Sequence, residues 1–233
     1  RSSLLGGLVA ALRFNLNHKQ ERVRIFEMGR CFAATPGRVP GPEEQPLMLA
    51  ALAYGLAQPE QWGAAKIPVD FYDIKADLTA LVEHARFAPG SHPALHPGRC
   101  ARVSSGDRPI GWLGELHPRL AQRYELARAP VVFELDLQPL LVAQVAKFAE
   151  SSRFPAVRRD IAFIAEEALP AQALLDTLRS IAPKNVIGID LFDLYRGPGI
   201  AQGKKSLAFR VVIQDTSKTL ADEEIDAIRR DLI

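Results

Sequence analysis

Residues 151–233 set cationic side chains beside an aromatic one. Arg153, Arg158 and Arg159 flank the start of one extended segment. Arg196, Lys204, Lys205 and Arg210 lie on or beside the hairpin that follows, with Phe192 among them. Guanidinium and ammonium groups hold phosphates, and an exposed ring stacks on an unpaired base, so this set could form an RNA-binding face. Charge runs are more often simply solvated surface, so the positions of these residues on a fold must carry the argument.

Other chemistry-bearing patterns fall short. His92 and His96 are four apart, with Cys100 and His117 nearby, but Pro93 and Pro97 favour a loop over converging metal ligands. An enzyme built on the His92/His96/Cys100 region is therefore a poor alternative. The run 197–206 resembles a phosphate loop, yet its glycine spacing is wrong and no helix follows to receive a phosphate. No G-x-S-x-G elbow occurs. Cys31 and Cys100 fall in or beside strand patterns and read as buried and inert. Of Asp70, Asp73 and Asp77, one of the first two reads as a helix cap and the third as a solvated residue.

Composition narrows the setting. The 233 residues carry 29 Lys+Arg and 27 Asp+Glu, a net charge of +2, with 48% hydrophobic and 24% charged residues. That is globular composition with length enough for two cores. Residues 151–233 hold 12 basic and 12 acidic groups, so any RNA binding must come from local clustering rather than bulk charge. Two cysteines exclude a disulfide scaffold and favour a reducing, cytoplasmic setting. No apolar run approaches the roughly 20 residues of a membrane span, so no membrane partner is expected.

The elements that would position these residues follow from periodicity. Residues 2–17 read as an amphipathic helix capped by Ser2 or Ser3, residues 22–32 as a strand, 36–46 as a loop and 47–56 as a buried strand. A helix is predicted over 70–86 and a loop over 89–98. A hairpin over 99–116 turns at residues 105–107, a short helix covers 118–125 and a strand covers 130–136. After a boundary near 149–153 the order is strand 158–165, helix 171–181, strand 187–195, strand 205–214 and a last helix capped by Thr219. Both helices of this β-α-β-β-α order should cover one sheet face. Ala208, Arg210, Val212 and Gln214 would then share the open face, opposite Leu207, Phe209, Val211 and Ile213.

The sequence also carries a family resemblance. The runs 151–162 (SSRFPAVRRDIA), 191–197 (LFDLYRG), 204–210 (KKSLAFR) and 219–225 (TLADEEI) are similar, in order, to the ferredoxin-fold anticodon-binding domain of bacterial phenylalanyl-tRNA synthetase β chains. The stretches 1–8, 25–30, 70–75, 92–99 and 110–118 resemble the module that precedes it.

The resemblance implies an α+β chain: a catalytically silent class II synthetase-like antiparallel sheet over residues 1–150, then a ferredoxin-like split βαβ module over 151–233 lacking its last strand, within a fragment of a longer subunit. It implies no catalytic residues here. Arg24 and Arg30 are the arginines that could be invoked for ATP, but structural or subunit-contact roles suit them better. ATP and Mg²⁺ are expected at the α subunit of an α2β2 assembly, and further Mg²⁺ upstream in the β subunit. Phenylalanine tRNA is the expected RNA, with Lys204, Lys205, Arg158 and Arg159 on phosphates and Arg210 and Phe192 on bases. A subunit-interaction scaffold with little RNA affinity of its own is the alternative.

Overall fold

Leucines at helical spacing build the first layer. In α1 (Leu5–Asn17), Leu5, Leu8, Val9 and Leu12 are buried together, while Ser3 accepts the Leu5 amide through its hydroxyl. The computed structural model describes residues 1–32, 41, 45–141 and 151–233. Most of the loop expected at residues 36–46 lies outside the described residues.

A six-stranded antiparallel sheet follows, built from β1 (Val23–Arg30), β2 (Leu47–Tyr54), β3 (Ala85–Pro89), β4 (Leu95–Ser105), β5 (Arg108–Leu116) and β6 (Val131–Asp136). Its order is β1-β2-β6-β5-β4-β3. Side-chain alternation sends Leu52 and Val132 to the α1 side, and Ala53, Val131, Phe133 and Leu135 to the other. The second face is covered by α2 (Phe71–Leu81) through Ile74 and Leu78. The β4–β5 hairpin turns at Gly106, whose φ of +56° suits the residue type. A short helix, α3 (Pro118–Arg123), connects β5 to β6.

The helix expected over 70–86 is shorter than its periodicity suggests. It ends at Leu81, Val82 turns extended, and His84 takes a φ of +54°. Residues 85–89 become β3, pairing with β4, because the sheet edge offers Ala85 and Phe87 an apolar seat while Arg86 and Ala88 point outward. Ala85 keeps helical spacing from Val82 and also strand alternation with Phe87, so only the pairing decides. β4 likewise starts at Leu95, not Arg99, and bulges before Cys100.

The chain divides into two units, Arg1–Val145 and Ala146–Ile233. In the second, β7 (Val157–Glu166), β8 (Val186–Tyr195) and β9 (Lys204–Ile213) form an antiparallel sheet in the order β7-β9-β8. Helices α4 (Ala171–Ile181) and α5 (Asp222–Asp231) cover one face through Leu178, Ile225 and Ile228, which pack with Ile161, Leu207, Phe209, Val211 and Ile213. Burying each such side chain contributes about 1.5–3 kcal/mol. Among the described residues β7 pairs only with β9. Thr219 does not cap the last helix. Ala221 precedes it, and the Glu224 carboxylate accepts the Ala221 amide at 3.0 Å, doing from inside the first turn what a Thr219 hydroxyl was expected to do from outside.

Candidate nucleic-acid interface

Strand alternation makes the second unit two-sided. In β9, Leu207, Phe209, Val211 and Ile213 are buried under the helices, and Ser206, Ala208, Arg210 and Val212 face away from them. Antiparallel register adds Arg158, Asp160, Ala162, Ile164 and Glu166 of β7 to that open face. From β8 it adds Gly188, Asp190, Asp193 and Tyr195. A register shift between Leu191 and Asp193 makes Phe192 the extra residue of a bulge, 48% exposed.

Arg210 occupies the centre. Its Nε and Nη2 each donate to a separate Asp160 oxygen at 3.0 Å, and its guanidinium carbon lies 4.6 Å from the Phe192 ring centre. These hydrogen bonds hold the Asp160 carboxyl below the usual aspartate range and raise Arg210 further above neutrality. Asp190 flanks Arg210 from the other neighbouring strand.

The eight expected RNA-binding residues do not form one patch. Arg153 and Arg158 are exposed, and no acidic side chain among the described residues pairs with either. Arg153 sits on a segment tied to the end of β9: the Ser152 hydroxyl donates to the Asp215 carbonyl at 2.6 Å, and the Gln214 amide to the Phe154 carbonyl at 2.7 Å. At the other end, Arg196 grips Glu167 with two nitrogens, which holds that carboxyl below its ordinary range, and Lys204 lies 3.3 Å from Glu166.

Two cations are on the wrong side of the sheet for phosphates on the open face. Arg159 points to the helix-covered side, 3.5 Å from Asp222, because consecutive strand residues alternate faces. Lys205 shares the parity of Leu207 and Phe209. It is only 7% exposed, its stem is buried, and its ammonium donates to the Glu167 carbonyl at 2.8 Å. The carboxylates Asp160, Asp190, Asp193 and Glu166 are not singled out by the sequence pattern. The alternation in Arg158-Arg159-Asp160 is the signal that could have found the first of them. The centre of this face thus carries Asp160, Asp190 and Asp193 around Arg210, whereas Arg158, near the Val157–Ile213 end, has no acidic partner among the described residues.

The remaining sequence candidates have structural duties. The Nδ1 atoms of His92, His96 and His117 each accept a backbone amide two residues on, at 3.2, 3.0 and 3.1 Å. Among the described residues no group of His, Cys, Asp and Glu is arranged to hold a metal ion. Burial pushes both the Cys31 and Cys100 thiols upward. Asp70 caps α2 by accepting the Tyr72 and Asp73 amides, and Asp73 returns the contact to the Asp70 amide. Asp77 pairs with Arg24 at 2.6 Å, and Arg30 donates to the Gln45 carbonyl at 2.8 Å, so both arginines considered for ATP are engaged within the fold. Gly199 and Gly203, at φ of +90° and +80°, turn the hairpin between β8 and β9. No described helix is long and apolar enough to cross a membrane.

Comparison with known proteins accounts for both units. Residues 1–137 match the model of the phenylalanyl tRNA synthetase beta chain CLM domain, and residues 152–233 match the ferredoxin-fold anticodon binding domain. The phenylalanine–tRNA ligase beta subunit of Aromatoleum aromaticum is 51% identical over 97% of this chain and 29% of its own length. That of Dechloromonas aromatica is 48% identical over the whole chain and 30% of its own length. The chain thus spans just under a third of these curated relatives. Among solved structures, the pyrrolysyl-tRNA synthetase of Desulfitobacterium hafniense aligns with a TM-score of 0.44 at 17% identity, over 60% of this chain and 48% of that one. With one model matching residues 1–137 and the other residues 152–233, the chain belongs to the phenylalanyl-tRNA synthetase beta chain family.

Proposed function

We propose that this chain is the non-catalytic C-terminal part of a phenylalanyl-tRNA synthetase β subunit, in which the first unit supports the α subunit and the second binds the anticodon region of phenylalanine tRNA. The observation that carries the RNA reading is the exposed Phe192–Arg210 stack at the centre of an uncovered sheet face. Arg153 and Arg158 hold loop phosphates at one end of that face, and the stack receives an unpaired base. Phosphate contacts position the RNA and base contacts specify it. The chain supplies orientation rather than chemistry: tRNA held at the anticodon presents its distant acceptor end to the α subunit. In this reading ATP and Mg²⁺ act at that subunit, in the cytoplasm, within an α2β2 assembly.

The test is titration of the 233-residue chain with a labelled phenylalanine-tRNA anticodon stem-loop at two salt concentrations, beside a scrambled loop. Loop-selective binding that weakens as salt rises is expected. Absent or loop-indifferent binding would overturn the RNA reading.

A second reading, that the chain is mainly a subunit scaffold, draws on a different surface. Phe26 and Met28 are 69% and 59% exposed on β1, opposite half-buried Ala51 and Leu49 of β2. Exposed apolar side chains so grouped suit a protein partner. Co-purification of the α subunit with a chain that fails to bind the stem-loop would favour this reading alone.

A further inference from the structure

We propose that Asp160 is a positioning residue for RNA: it holds the Arg210 guanidinium against Phe192, so that the open face offers a fixed platform to an unpaired base and Arg210 is kept from tethering phosphate. The inference rests on the RNA-binding reading above and names the part of the site that makes it selective for unpaired bases.

Three relationships lead to it. Arg210 lies on the central strand, so carboxylate-bearing residues face it from both sides, Asp160 on β7 and Asp190 on β8. Only Asp160 forms the two-point fork, with both nitrogens at 3.0 Å from separate oxygens. A planar guanidinium gripped at two points loses the freedom that a long side chain otherwise keeps. The third relationship is the bulge in β8, which places the Phe192 ring 4.6 Å from that same guanidinium. The cation and the ring form one surface, and Asp160 fixes where the cation stands.

Charge strengthens the case. The Arg210 charge is matched by Asp160, and no cation among the described residues pairs with Asp190 or Asp193 on the same face. The centre of the sheet therefore repels a phosphate backbone and accepts a neutral base. Among the described residues, Arg158 is a cation of this face without an acidic partner, near the Val157–Ile213 end of the sheet, and exposed Arg153 lies on the segment leading into that end. A base that leaves a loop and reaches the centre is bound; a duplex, whose bases stay paired, brings only its phosphates to a centre where Asp160, Asp190 and Asp193 outnumber Arg210. Without the Asp160 carboxylate, Arg210 becomes a mobile cation, free to bind any phosphate.

The experiment compares the stem-loop with a fully paired hairpin of equal phosphate number, each titrated with the 233-residue chain across a salt series. The wild-type chain is expected to prefer the loop. Asp160→Asn is expected to reduce that preference about fivefold or more, the scale of one lost base stack. It is also expected to tighten hairpin binding and steepen the salt dependence by about 0.7 to 0.9 log units per log of salt, as for one added phosphate contact. Arg210→Gln is expected to lose the preference without the tighter hairpin binding. A 2-aminopurine placed in the loop should be quenched by the wild-type chain and less by either variant. If the wild-type chain shows no preference for the loop, the RNA reading fails and the inference falls with it. If the wild-type chain prefers the loop and Asp160→Asn keeps both preference and salt slope, the inference alone is overturned. Should Asp160→Asn fail to fold, Arg210→Gln and the 2-aminopurine signal decide: an unchanged preference with full quenching overturns the proposal.

Discussion

The carboxylate of Glu134, midway along β6, closes the N-terminus of α1: it accepts the Leu4 amide at 2.6 Å and the Ser3 hydroxyl at 3.0 Å. A helix start leaves amide donors without partners, and here a residue 130 positions away supplies the acceptor and a charge that complements the helix dipole. Glu134→Ala should therefore destabilise the first unit by about 1–3 kcal/mol, the cost of stranding a part-buried donor. Urea unfolding followed by far-UV circular dichroism checks this, and a loss below a few tenths of a kcal/mol would assign the capping to water instead.

The pairing of Arg210 with Asp160 has a titration signature. A carboxyl whose folded value lies below its ordinary 3.8 adds stability that is present above 3.8 and is lost as pH falls through the folded value. In a carbon-13 NMR titration the Asp160 carboxyl midpoint should lie below 3.8, and Arg210→Gln should return it toward that value. A midpoint unmoved by Arg210→Gln would mean that the fork does not persist in solution.

Both cysteines should resist chemistry in the folded chain. Cys31 and Cys100 are buried, and burial raises their thiols, which leaves little thiolate at neutral pH. A thiol-specific chromogenic reagent should label neither residue at native rates and both in denaturant. Labelling as fast as free cysteine would show that their strands open readily.

Phe209 is fully buried beneath α4 and α5, with an edge-on contact to Phe163 at 6.1 Å between ring centres. Phe209→Ala should cost the second unit about 3–5 kcal/mol through lost burial and a residual cavity. RNA binding should fall with that unit's folding, while the first unit keeps its own unfolding transition. Differential scanning calorimetry separates the two, and a simultaneous loss of both transitions would contradict independent cores.

Local pattern makes much of this fold legible. The alternation of residues 207–213 is enough to put Phe209 and Arg210 on opposite faces of one strand, and the β-α-β-β-α order of the second unit follows from periodicity and turn residues. The ordered runs from 151–162 to 219–225 likewise point to the anticodon-binding family. What the chain reads over a few residues, it reveals over a few residues. The helix expected over 70–86 stops at Leu81: Ala85 fits helical spacing from Val82 and strand alternation with Phe87, and pairing with β4 settles it.

Charge partners lie beyond local reading altogether. Asp160 and Arg210 are 50 positions apart, Ser3 and Glu134 are 131 apart, and no short-range rule pairs them. Counting cations suggests a basic face; the sheet register matches Arg210 and Lys204 with carboxylates and turns Lys205 and Arg159 to the helix side, while Arg196 meets Glu167 just beyond the strand ends. Sequence determines which residues alternate, because side-chain direction is a property of one strand. Only tertiary structure decides which charges are matched, because that depends on strands brought side by side by the burial of their other face.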